Sequence, residues 1–332
     1  MGKPYLLINS KKEEDRPIAI IRGGKRDGDI IYLCDNHDDN DKSDSDEEID
    51  ERLTYMIEDI IQKHLNKDKN KDGTTARQRY KNAETLKRLM LKKNAYAKDK
   101  RLREILFEAK KEFKDKKDQH IFIPDGTVEI IPNMNTRECC YTAAPSGSGK
   151  SFWTRKYAQQ YNRLYPKNKV YLFSKVQGDE SLKGIKNLVR VPIDDSLLDE
   201  CMDAEFFKDS LVIADDIDTI NDKELREAID QITNDILETG RHCNTYMLKT
   251  SHLISNYKQT RTVLNESHCI TVFPSSGSFH QISYVLKNYF GLVKEDLMKI
   301  KKLHSRHITI MKNYPMMCMY DKGVYLLAED ED

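Results

Sequence analysis

No apolar run in this sequence approaches the roughly 18 residues that a membrane-spanning helix requires, and no charged-then-apolar leader opens it. A soluble, intracellular protein with no membrane partner is the expectation. Cysteine is sparse: there are seven, at 34, 139, 140, 201, 243, 269 and 318, an odd number with no CxxC pair. That argues against a disulfide framework or a zinc ribbon, and the cysteines inside apolar runs read as reduced core residues. Net charge is also missing, since 55 Lys/Arg balance 55 Asp/Glu over 332 residues. Such a length suits one large domain with an appendage, or two modest domains.

The balance hides segregation. Residues 35–51 carry ten Asp/Glu against Lys42 alone, whereas residues 65–118 carry 19 Lys/Arg against 9 Asp/Glu. Blocks of this kind are commonly solvated surface, and less often a polyanion contact or a self-masking tail. Apolar residues recur at helical spacing at Leu53, Met56, Ile57, Ile60, Ile61 and Leu65. A thin stripe of Leu86, Leu89, Met90, Leu102, Ile105, Leu106 and Phe107 continues it within one long helical stretch, 75–118. Asp68, Asn70, Asp72 and Gly73 imitate a calcium loop, but Arg79 stands where a bidentate Glu is needed.

What the chain does contain is a phosphate-binding signature. Residues 138–156 read as a buried strand, a Gly/Ser loop and a helix start: Ala144, then Pro145, Ser146, Gly147 and Ser148, then Gly149, Lys150 and Ser151. The two glycines reach backbone angles closed to other residues, so that successive N–H groups turn inward around phosphates. Lys150 supplies a point charge for ATP phosphates, and Ser151 supplies a hydroxyl for Mg²⁺. Ala144 replaces the usual first glycine of this Walker A pattern and keeps a small side chain at the turn.

A second apolar strand, 210–214, ends in Asp215 and Asp216, as a Walker B strand does. In an open α/β sheet ligands bind at such carboxyl ends. Asp215 is placed to hold Mg²⁺, and Asp216 to orient the attacking water or accept its proton. The competing reading is an Asp pair capping the helix at 221–238. Further strands at 169–174, 188–192, 244–250 and 268–273 alternate with helices, and the expected fold is α/β, a P-loop NTPase whose mainly parallel sheet is covered by helices on both faces. Two hairpins are expected beside it, 121–131 turning at Pro124, Asp125 and Gly126, and a closing tail hairpin split at 313–315. Another spans 17–33, with its tip near 23–28.

After the Asp pair and its helix come Gly240, Arg241 and His242, entering a strand that ends in Thr250, Ser251 and His252. This order resembles the FtsK/HerA superfamily of DNA-pumping ATPases, and within it the poxvirus-type genome-packaging ATPases of large DNA viruses. The resemblance covers roughly residues 120–328. It implies that the strand end at Thr250 senses the γ-phosphate and that an arginine, Arg241 first and Arg261 as rival, is presented to a neighbouring subunit's nucleotide. Without the resemblance Arg241 reads equally as a helix C-terminal cation. It further implies a homo-oligomeric ring acting on double-stranded DNA, capsid or virion proteins as partners, and a host-cytoplasm, viral-factory or virion setting. The chain then divides into a strand-rich segment (1–34), an acidic linker (35–51), a charged helical region (52–118) and the ATPase domain (119–328). The competing function is a nucleotide-dependent switch or scaffold, and a weaker one is a small-molecule phosphotransferase. Trp153, Tyr157 and Tyr161, at helical spacing, suit helix-to-sheet packing better than base stacking. His304 and His307 lack the partner pair a zinc site needs.

Overall fold

The computed structural model describes residues 4–35, 51–67, 75–90, 97–116, 119–176, 178, 180–199, 202–313 and 315–327. Most of the acidic run and the calcium-like loop lie outside the described residues.

Strands β1 (Tyr5–Ile8), β2 (Arg16–Arg22) and β3 (Ile30–Cys34) pair antiparallel, and β2 and β3 form the expected hairpin across a short 3-10 turn at Gly24–Arg26. Three helices follow: α1 (Glu51–Lys67), α2 (Ala76–Met90) and α3 (Lys100–Lys116). The long helical stretch is therefore interrupted, and Asp99 starts the third helix by accepting the Leu102 N–H at 2.9 Å. These helices share a core of their own, built on Ile57, Ile60, Ile61, Leu86, Ile105 and Leu106. Phe107, counted in the apolar stripe from spacing, instead stands 73% exposed. It follows Leu106 by one residue, about 100° round the helix, and so leaves the buried face.

The expected hairpin at 121–131 does not pair with itself. Strand β4 (His120–Phe122) joins the large sheet and β5 (Thr127–Ile130) crosses to pair with β2, so the turn at 124–126 links two sheets. The small sheet thus runs β1-β3-β2-β5.

The large sheet is built around β6 (Cys139–Ala143), β7 (Val170–Ser174), β8 (Leu188–Arg190), β9 (Leu211–Asp215), β10 (Tyr246–Ser251) and β11 (Cys269–Val272). These six run parallel in the order β11-β6-β10-β9-β7-β8. Every residue of β6, β9, β10 and β11 is buried, which is why they read as short continuous apolar runs rather than as alternating ones. The tail adds three antiparallel strands, β12 (Ile308–Met311), β13 (Met317–Tyr320) and β14 (Gly323–Leu326), where a single hairpin was expected; the extra turn is at Asp321 and Lys322.

One face of the sheet is covered by α5 (Ser196–Asp199), α6 (Lys223–Thr239), α7 (Tyr257–Glu266), α8 (Phe279–Phe290) and α9 (Lys294–Lys302). The other carries α4 (Lys150–Leu164) and, next to it, the small sheet. Cys140 and Cys269, directly paired in register on β6 and β11 with Cα atoms 4.9 Å apart, are joined as a disulfide. This departs from the expectation that all the cysteines are reduced, because strand adjacency across 129 residues of sequence is invisible to spacing. Cys34, Cys139, Cys243 and Cys318 are free and buried.

Candidate nucleotide site

Residues 144–149 connect the carboxyl end of β6 to α4. Gly147 and Gly149 have φ of 76° and 112°, the left-handed backbone that a phosphate cradle needs and that other residues seldom adopt. Pro145, Ser146 and Gly147 are exposed at the tip, while Ser148 is buried and its hydroxyl finds no partner within the protein. A buried hydroxyl without a partner, beside the amino end of a fifteen-residue helix, suits a phosphate oxygen.

Lys150 is 5% exposed, so its charge must be matched. Its Nζ donates to the Ala144 carbonyl at 2.7 Å, lies 3.3 Å from Asp216 Oδ1 and sits 3.1 Å from His252 Nδ1. His252 Nε2 in turn lies 3.0 Å from Asp216 Oδ2. An ammonium only donates, so Nδ1 accepts and Nε2–H faces the carboxylate; the neutral Nε2–H tautomer satisfies both contacts.

Sheet order explains why these groups meet. Strand β10 lies between β6 and β9, so its end faces the loop on one side and the acidic pair on the other. Asp215 closes β9 and takes hydrogen bonds on both oxygens, from Ser174 at 3.1 Å and from Thr250 at 2.9 Å. Asp216 follows in left-handed backbone, φ 47° and ψ 42°, a conformation that Asp tolerates better than most residues. Thr250 Oγ1 accepts the Asp216 N–H at 3.0 Å and lies 3.1 Å from Asp216 Oδ1. Thr250 is thus the joint between the two acids. Ser151, half-buried at the start of α4, supplies a hydroxyl on the loop side. Among the described residues no group of three or more His, Cys, Asp or Glu is arranged to hold a metal. One hydroxyl and one carboxylate suit Mg²⁺, which keeps water and phosphate oxygens as its remaining ligands.

Two residues at this end escaped the motif reading. Asp218 accepts from Ser251 Oγ at 3.0 Å and from the His252 N–H at 3.2 Å, and so fixes the end of β10. Its position two residues past Asp216 was the available signal. Arg306, which leads into β12, donates from Nε to the Ser148 carbonyl at 3.0 Å. Nothing in its local sequence announces that contact.

Arg241 lies elsewhere. It is exposed in the turn between α6 and β10, with Nε donating to His242 Nε2 at 3.3 Å. That turn is at the amino ends of the parallel strands, whereas the loop is at their carboxyl ends; the length of β10 alone separates them by about 17 Å. Gly240 is explained by a buried neighbour: Arg137 donates to the Ile236 and Leu237 carbonyls at 2.6 and 2.7 Å, closing the end of α6. A Cβ at Gly240 would lie 2.9 Å from that guanidinium and 2.5 Å from the Ile236 carbonyl. Arg261 is exposed on α7.

Three of the aromatics of α4 are packing residues. Trp153, Tyr157 and Tyr161 are all buried, and Trp153 stacks on Tyr157 at 5.6 Å. Tyr157 donates to Glu138 at 2.8 Å, and burial pushes the Glu138 carboxyl up despite that bond. His307 bonds Asp321, Nδ1 to Oδ1, at 3.0 Å.

No protein-family model matches the chain. Among solved structures, the DNA-packaging ATPase B204 from Sulfolobus turreted icosahedral virus is a distant likeness: 16% identity, 59% of this chain and all of that one, TM-score 0.40. The cytoplasmic domain of the Thermomonospora curvata type VII secretion ATPase EccC is comparable, with 11% identity over 65% of this chain and 30% of that one, TM-score 0.40. In sequence, protein V3 of Sputnik virophage, described as uncharacterized, is 46% identical over 216 residues, 64% of this chain and 86% of its own length. The chain belongs to the same family as that virophage protein.

Proposed function

We propose that this protein is an ATP-hydrolysing motor that moves double-stranded DNA, acting as a homo-oligomeric ring that packages a viral genome. The carrying observation is the convergence of Lys150, Asp215, Asp216 and Thr250 at three adjacent strand ends. A module that only binds nucleotide needs the loop, its lysine and an acid for Mg²⁺, but has no use for a second acid, Asp216, held beside the lysine to orient water. Support for DNA as the load comes from the FtsK/HerA-like order of motifs, and the virophage relative favours a viral setting, in the infected cell's interior or carried in the virion with capsid proteins. No described helix is long and apolar enough to cross a membrane.

In this reading the residues take the following roles. The loop N–H groups, the Ser148 hydroxyl and Lys150 bind the phosphates, and nucleotide entry draws Lys150 away from Asp216 and His252. Asp216, released from that ion pair, orients the attacking water and takes its proton. Thr250 couples the two acids, so it reports on whether Asp215 is engaged. Ser151 and Asp215 are the residues to hold Mg²⁺, which supplies charge neutralisation on the phosphates. Arg241 serves the nucleotide of a neighbouring subunit. The basic helices α2 and α3 add DNA affinity, and the acidic run before them opposes it. ATP turnover measured with and without long duplex DNA tests the reading; stimulation is expected, and turnover indifferent to DNA would favour a switch.

A further inference from the structure

Apolar side chains left in water gather along one margin of the large sheet. Strand β8 ends that sheet, and among the described residues no strand pairs with its outer edge. Val189 of β8, 37% exposed, is in register with the half-buried Tyr171 of β7, so the two side chains share the face that α5 and α6 cover. Phe206, in the segment leading into β9, is 51% exposed and sets its ring 6.1 Å from that of Tyr171 and 4.9 Å from that of the buried Phe207. Single apolar residues on a surface need no explanation. Val189, Tyr171 and Phe206 are contiguous, and a contiguous patch marks a contact.

Phe206 is also held still. Asp203 accepts its N–H at 3.0 Å, Asp235 of α6 accepts the Ala204 N–H at 2.7 Å, and the Phe207 carbonyl takes the hydroxyls of Ser210 and Thr245. A ring presented on fixed backbone loses little freedom when a partner covers it. The same segment is fastened to the turn that carries Arg241: the Asp209 N–H donates to the Cys243 carbonyl at 2.9 Å, Asn244 donates to the Asp209 carboxylate at 2.9 Å, and the Cys243 thiol donates to Glu205 at 3.0 Å. Phe206 and Arg241 therefore share one mount at the amino ends of the strands. An aromatic anchor with charged residues beside it, here Arg241 and the exposed Glu205–Lys208 pair, is the composition of a stable protein contact.

We propose that the patch of Phe206, Tyr171 and Val189 is the contact through which one copy of this chain docks on the next and seats Arg241 at the neighbour's phosphate loop. A second copy is the partner that fits, because the patch shares its mount with Arg241 while the chain's own loop lies at the other end of the strands. A contact of patch on loop side is head-to-tail, the kind that closes into a ring. The inference rests on the reading of Arg241 as acting on a neighbour, and the test separates the two. Assembly of the full chain with ATP is followed by analytical ultracentrifugation, beside ATP affinity and turnover, for the parent, Phe206→Asp, Val189→Lys and Arg241→Ala. Expected is assembly of the parent that weakens about tenfold or more in Phe206→Asp and Val189→Lys, the scale of an interface anchor, with ATP affinity unchanged and turnover lost where the parent is still assembled. Arg241→Ala assembles as the parent does and is inactive. If Phe206→Asp and Val189→Lys assemble like the parent, or come apart and keep its turnover, the patch is not the contact that seats the arginine. If they come apart and lose turnover while Arg241→Ala stays active, the contact stands and the reading of Arg241 falls. A parent chain that stays monomeric overturns both.

Discussion

At the carboxyl ends of the parallel strands polar side chains are tied to one another, Lys150 to Asp216 and His252, Asp215 to Ser174 and Thr250, and Asp218 to Ser251. At the amino ends the arrangement is opposite: Arg137 is buried in a clasp on α6, and Arg241 next to that clasp is exposed. The contrast sets a site whose polar groups are matched to one another against an exposed cation held beside a buried clasp. In the proposed ring the two ends of the sheet would serve two nucleotides, a subunit's own and its neighbour's.

The sharpest ways to break this comparison act on the carboxyl end. Lys150→Ala is expected to abolish tight ATP binding, whereas Asp216→Asn keeps ATP bound and stops hydrolysis; filter binding and phosphate release separate the two. Turnover by Asp216→Asn at the parent rate would remove the water-orienting role. At the amino end, Arg241→Ala should leave ATP affinity intact and lower turnover by about 10³ or more, the scale of an arginine supplied in trans.

Arg137→Ala should act on the mount rather than the chemistry. It removes a buried guanidinium that donates to the Leu237 and Ile236 carbonyls, the latter keeping the Gly240 N–H, and costs about 2–3 kcal/mol, visible in denaturant unfolding. Replacing Arg77, Arg79 and Lys81 of α2 by Ala should flatten the salt dependence of DNA binding by about 0.9 for each phosphate these side chains neutralise, with turnover in the absence of DNA unchanged. The smallest effect concerns acid. Burial opposes ionisation of Asp321, but the His307 bond and charge, the Arg306 N–H and Ser305 hold its pKa down to about 2. A carboxyl lowered in the folded state adds stability above its unfolded value near 4, and loses it as pH falls toward 2. Asp321→Asn should therefore flatten the fall in stability over that window and leave neutral stability lower than the parent's.

The loop, the acidic strand end and the polar triplet were legible because each is contiguous in sequence and its chemistry needs particular residue types at fixed spacing. So was the parallel sheet, from short apolar runs alternating with helices. The clasp of Arg137, the contact of Arg306 with the loop and the Cys140–Cys269 pairing were not, since each depends on which strands become neighbours across more than 90 residues. The turn at 124–126 shows the same limit. Its Pro-Asp-Gly chemistry identifies a turn correctly, but not that the two strands it joins part into different sheets.

The claim that the two ends of the sheet serve two nucleotides is tested most directly by mixing subunits. Lys150→Ala and Arg241→Ala chains, each inactive alone, are combined and ATP turnover is followed in assemblies shown to contain both. Recovered turnover is the predicted result, since some interfaces then pair an intact loop with an intact arginine. No recovery in a mixed assembly would contradict it and place the arginine's action within one subunit or at Arg261.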